Sequence, residues 1–212
     1  VAEMCQSFVL DNGAFSAWKN GGTIDLDLYA SWLDDWGRHP GCDWALIPDV
    51  IAGTENDNED LVRWWYDKKR PCLGVSVWHM HESLDRLKAM SHVYPRMVAL
   101  GSSGDYAQIG TEQWWNRMAE AMDVVCENGI PRCKLHGLRM LDPTIFSHLP
   151  LSSADSTNVA RNIGIDMRWT GAYAPASKAV RALILADRIE SHAGASRWNK
   201  TRATQQNFEL LG

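Results

Sequence analysis

No stretch of about 18 consecutive apolar residues occurs in the 212-residue chain, so the sequence carries no candidate membrane-spanning helix. Cysteine is scarce: Cys5, Cys42, Cys72, Cys126 and Cys133 are odd in number, widely spaced and form no CxxC pair. That pattern argues against a disulfide framework and a zinc ribbon, and fits reduced thiols in a cytoplasmic protein. An initiator Met and a signal-peptide pattern are also missing, since the chain opens at Val1; the expectation is a sequence processed, renumbered or short of an amino-terminal piece. Basic residues are few over residues 1–150, with 13 Lys and Arg against 21 Asp and Glu, whereas residues 151–212 hold 8 against 5. A net charge of −5 therefore hides a cationic carboxyl-terminal third, suited to a polyanion or simply to a solvated helical face.

What is present is an alternation. With 45% apolar content, the chain is long enough for one domain with a substantial core. Short apolar runs at 7–11, 44–49, 72–78, 97–101, 132–138 and 151–155 read as strands. Between and after them, about 25–37, 56–69, 82–91, 111–128, 142–147, 175–192 and 203–211 read as helices, the first with Leu28, Trp32, Leu33 and Trp36 at helical spacing. Strands separated by helices predict right-handed βαβ units and a parallel sheet. The expected fold over residues 1–212 is α/β, a (β/α) TIM-type barrel with carboxyl-terminal helices.

Chemistry-bearing residues gather at the carboxyl ends of these runs: Asp11, Asp49, the cluster Trp78-His79-Met80-His81, Gly101-Ser102-Ser103-Gly104, His136-Gly137 and Asp155. In a barrel those ends share one mouth, and three carboxylates there can divide base recognition, acid/base work and nucleophilic attack. Asp155, set among small and hydroxyl residues in Ser152-Ser153-Ala154-Asp155-Ser156, is the first candidate nucleophile.

These segments resemble one family. Leu10-Asp11-Asn12-Gly13-Ala14-Phe15 is similar to the Asp-Ser-Gly-Gly-Phe signature of the tRNA-guanine transglycosylases (queuine tRNA-ribosyltransferases). Val98-Ala99-Leu100-Gly101-Ser102 resembles their guanine-pocket strand, and Ser153-Ala154-Asp155-Ser156 with Arg161-Asn162 their nucleophile segment. Leu135-His136-Gly137-Leu138 together with Ser-Ala-Asp-Ser is especially similar to the small phage and bacterial DNA-guanine transglycosylases, which exchange guanine in DNA for a 7-deazaguanine. The resemblance runs from about residue 7 to 162 and implies a pentosyltransferase acting without metal or other cofactor. Its partners would be nucleic acid, DNA rather than tRNA, and a free 7-deazaguanine base, with no membrane involved; a homodimer or an accessory subunit stays open. For a phage protein the compartment would be the host cytoplasm.

Carried over residue by residue, the resemblance makes Asp155 the nucleophile that forms a covalent glycosyl intermediate and Asp11 the second carboxylate, a general acid/base. Asp49 would read the guanine edge, since a carboxylate can accept from both N1–H and N2–H₂. Gly101 and Ser102 would offer backbone groups to the base; His136, Trp78 and His79 are further substrate-binding candidates by their place at strand ends, and Arg161 and Arg168, from the cationic carboxyl-terminal third, are candidates for the nucleic acid. The chain also departs from the family: Trp78-His79 stands where Gln-Gly is expected, Ala14 replaces the second signature Gly, and the Cys/His zinc insert of the tRNA enzymes is absent. Only ten residues precede Asp11 where the family has two strands, so the barrel is expected to lack its first strands in this sequence.

Plainer assignments compete with these. Asp11 and Asp49 could be turn or helix caps, and His136 a core histidine. His79 and His81 form a His-x-His that, with Asp155, would suit a metal-dependent (β/α)-barrel hydrolase. Trp32, Trp36, Trp64, Trp65, Trp114 and Trp115 fall on predicted helices and are expected in the core or at an interface. Trp18, Trp78 and Trp169 lie in or beside strand-to-helix connections, where a ring could stack on a base.

Overall fold

In the computed structural model, residues 6–93, 97–156 and 175–200 are described. Six strands, β1 (Phe8–Leu10), β2 (Cys42–Leu46), β3 (Gly74–His79), β4 (Met97–Gly101), β7 (Lys134–Gly137) and β8 (Ser153–Ala154), lie parallel and side by side in chain order. A small antiparallel hairpin, β5 (Cys126–Glu127) and β6 (Ile130–Pro131), precedes β7. Right-handed crossovers that always step in the same direction put the intervening helices on one face of the sheet. The sheet curls as half of a barrel; among the described residues β1 and β8 are its two edges, and no closed barrel forms.

The helices are α1 (Ala14–Lys19), α2 (Leu26–Trp36), α3 (Glu55–Tyr66), α4 (Leu84–Met90), α5 (Glu112–Val125), α6 (Pro143–Phe146) and α7 (Lys178–Glu190). Most start where a short polar side chain takes up an orphan backbone N–H. Asp25 accepts from Leu28, Ser83 from Arg86, Thr111 from Trp114, and Thr54 forms a reciprocal capping box with Asp57.

Strand alternation divides the core into layers. Trp78, Val98, Leu100 and Leu135 face outward and pack against Leu87, Trp114, Met118 and Met122 of α4 and α5, while Leu10, Ala45 and Ile47 meet Tyr29 and Leu33 of α2. Burying side chains of this size is worth about 1.5–3 kcal/mol each. Trp44, Leu46, Val75, Val77, Met97 and Ala99 face inward and form the floor of the concave side. The register then builds a level across that side: Val77 lies opposite Ala99, Ala99 opposite His136, His136 opposite Ser153, and one step further on His79 opposite Gly101. An open trough of about 1040 Å³ lies toward the amino-terminal ends of the strands, lined by Phe8, Asp43, Leu73, Met97 and Lys134, and reaches His136 and Asp155 on the β7–β8 side.

All six expected strands and the expected helices within the described residues form, with ends shifted by a few residues. The helix expected over 203–211 lies outside the described residues. Three features were not expected: α1, which occupies the turn after β1, a short 3₁₀ turn at Gly104–Tyr106, and the β5–β6 hairpin, whose turn uses Asn128 and Gly129 at positive φ. Trp65, Trp114 and Trp115 are core residues as expected, but Trp32 and Trp36 stay 39% and 40% exposed because α2 turns Tyr29 and Leu33, not these rings, toward the sheet.

Candidate active site

The carboxyl end of β2 supplies Asp49, whose side chain is only 8% exposed. Its Oδ1 accepts from Asn12 Nδ2 at 2.6 Å, and the same amide nitrogen donates to the Ile47 carbonyl at 2.8 Å. Asn12 Oδ1 accepts from the Ala14 backbone N–H at 2.8 Å, which fixes the amide's orientation. Asn12 therefore joins the loop after β1 to the loop after β2. Asp49 Oδ2 lies 2.9 Å from His79 Nε2, without the alignment of a hydrogen bond, and His79 Nδ1 is buried with no partner. The His79 ring sits over Gly101, where a Cβ would come within 3.1 Å of Nδ1, so the glycine makes room for the imidazole. Asp49 caps no helix, because α3 is capped by Thr54.

On the opposite edge, Asp155 follows β8 with its side chain half-exposed. Its Oδ1 accepts from the Arg139 backbone N–H at 2.5 Å, and its Oδ2 lies 3.7 Å from His136 Nε2. His136 is 3% exposed; its Nδ1 pairs with Ser153 Oγ at 2.9 Å and its ring meets the edge of Trp44 with centroids 4.9 Å apart. Arg139 has φ 62°, a left-handed conformation that costs a non-glycine residue on the order of 1–3 kcal/mol, and that turn aims its N–H at Asp155. The Arg139 guanidinium lies 4.5 Å over the Phe15 ring, linking the loop after β7 to α1 across the open side of the half-barrel.

Asp11 completes the set. It stands solvent-accessible, with Oδ1 3.4 Å from the Gly13 backbone N–H and the Asn12 backbone N–H also supporting the carboxylate. Desolvation by the surrounding protein raises its pKa above the ordinary aspartate value, and the negative charges of Asp155 and Asp49 push the same way against the lowering effect of the Gly13 N–H. A carboxyl raised in the folded state destabilises the fold above that raised value and costs nothing below the ordinary 3.8. Asp11→Asn is accordingly expected to raise the melting temperature at neutral pH, with the gain shrinking as pH falls toward the ordinary value. Thermal melts across that range check it, and a gain independent of pH would contradict the shared-charge site.

The remaining sequence-predicted residues divide. Gly101 and His136 face the concave side with His79. Trp78 does not: it is fully buried in the helix-facing layer, with Nε1 donating to the Ser83 carbonyl at 3.0 Å, because alternation turns it opposite to His79. A base-stacking or base-binding role for Trp78 is thereby corrected. Ser102 likewise turns its hydroxyl to α5, accepting from Trp114 Nε1 at 2.9 Å, which leaves only its backbone for a ligand. His81 engages both ring nitrogens, Nδ1 with Ser103 Oγ at 2.7 Å and Nε2 with the Gly53 carbonyl at 3.0 Å. Among the described residues no group of three His, Cys, Asp or Glu is arranged to hold a metal, so His79, His81 and Asp155 do not form a ready ligand set.

Trp18 is 50% exposed beside Phe15, in the position expected of it, whereas Arg161, Arg168 and Trp169 lie outside the described residues. Within the cationic tail, Lys200 pairs with Asp123 at 2.5 Å and Arg197 donates to the Asn128 carbonyl at 3.3 Å. Asn12 is a site residue to which the sequence reading gave no role of its own; its polar amide next to Asp11 was the available signal. Among the described residues no helix is long and apolar enough to cross a membrane. Comparison with protein-family models, curated proteins and solved structures finds no match to this chain.

Proposed function

We propose that the chain is a base-exchange transglycosylase that replaces guanine in nucleic acid, DNA rather than tRNA, with a 7-deazaguanine through a covalent Asp155-glycosyl intermediate. The observation that supports this best is that Asp49 and Asp155, from two other strand ends, both bear electrostatically on Asp11 at the mouth of the half-barrel. Like charges brought near Asp11 in this way disfavour its ionised form, which suits a group that must carry a proton. In this reading the carboxylate of Asp155 attacks the anomeric carbon as the bond to guanine N9 breaks. Asp11, with its raised pKa, gives a proton to the departing base and later takes one from N9–H of the incoming base, whose N9 displaces Asp155.

Asp49 reads the N1–H and N2–H₂ donors, each oxygen retaining a lone pair beyond its contact with Asn12 or His79. His79, with Nδ1 unpaired, is the second base-edge group, and Gly101 and His136 line the floor. Arg161 and Arg168 are assigned to the polymer, and the reaction takes place in the cytoplasm, where DNA and free base meet.

Incubation with labelled guanine and either duplex DNA or tRNA tests the proposal: label should enter DNA and not tRNA, and entry into neither would overturn it. Chelation with excess EDTA is expected to leave exchange unchanged. Loss of activity that added divalent metal restores would favour the alternative metal-dependent hydrolase using His79 and His81.

A further inference from the structure

Asp49 and His79 come from separate strand ends, and their own side chains do not fix where each backbone stops. Glu82, buried in the turn before α4, reaches both. Its Oε2 accepts from the His79 backbone N–H at 2.9 Å and from Arg86 at 2.8 Å, and its Oε1 accepts from Asn58 Nδ2 at 2.8 Å. Asn58 Oδ1 in turn accepts from the backbone N–H of Val50, the residue after Asp49, at 2.7 Å. Asn58 and Glu82 are 2% and 3% exposed, so water cannot stand in for a lost partner. The buried carboxylate is balanced by Arg86, itself anchored on the Val77 carbonyl at 3.1 Å and on Glu59 at 3.1 Å.

We infer that Glu82, acting through Asn58, is a positioning residue for base recognition: this buried bridge sets the spacing between the Asp49 carboxylate and the His79 ring. The inference rests on the base-exchange proposal. Glu82→Gln preserves shape but keeps only one acceptor oxygen for three donors, so the bridge cannot remain complete. Free-guanine affinity should fall about tenfold in the wild-type background and by a clearly smaller factor in a His79→Ala background, where only the Asp49 side of the bridge is left to misplace. The drop in melting temperature should be the same in both. Equal affinity losses in the two backgrounds, or none in either, would overturn the positioning role.

Asn58→Ser leaves the Glu82–Arg86 pair intact and should show the same pattern at smaller size, which keeps the test open if Glu82→Gln fails to fold. Histidine-ring NMR supplies a readout independent of guanine. The His79 resonances should shift in both variants while those of His136 stay in place. Unmoved His79 resonances overturn the bridge whether or not guanine binds. A wild-type protein that binds no guanine, in which the His79 resonances nevertheless shift on mutation, overturns the base-exchange proposal and leaves the bridge standing.

Discussion

Asp155→Asn is expected to fold as the wild type does and to lose base exchange by at least about three orders of magnitude. The fold should survive because the side chain is half-exposed and the amide oxygen can still accept from the Arg139 N–H. The chemistry should not, because a carboxamide of the same shape is no nucleophile toward the anomeric carbon. Circular dichroism with steady-state exchange assays checks both halves. Activity retained above about a tenth of wild type would remove Asp155 from the nucleophile's role.

The second large effect is on recognition. Asp49→Asn should weaken binding of free guanine by about 2–4 kcal/mol, since a buried donor facing another donor costs more than a contact simply absent. The surroundings decide which way the new amide points. Asn12 Nδ2 donates to Oδ1 and needs an acceptor there, so the introduced NH₂ takes the place of Oδ2, beside His79 and toward the base. Hypoxanthine lacks the 2-amino group and should lose much less. Titrations of both bases on both proteins separate the cases, and equal losses would make Asp49 structural, a clamp for Asn12 and His79.

Much of this architecture was legible in the chain. Apolar runs at 97–101 and 72–78, followed by amphipathic stretches, announce parallel strands and covering helices, and the carboxylates at 11, 49 and 155 fall at strand ends of the curled sheet. Facing was not legible. A parallel strand buried on both sides has no polar alternation to show which neighbour looks inward, so Trp78 and His79 were indistinguishable until Val77, packed on the concave floor, fixed the phase.

Bridges between distant residues were equally hidden. Asn58 and Glu82 stand 24 positions apart and carry no motif, yet their hydrogen bond is what ties the Asp49 loop to His79. Closure of the sheet also escapes the sequence, because periodicity specifies each βα unit but not whether the outermost strands find partners.

The most direct test of the account is mass spectrometry of the wild-type enzyme denatured during turnover on a guanine-containing DNA duplex. The account predicts a population carrying the oligonucleotide, with the linkage mapping to the peptide that contains Asp155, present in wild type and missing in Asp155→Asn. An adduct on another residue, or exchange that proceeds undiminished in Asp155→Asn with no adduct there, would contradict it.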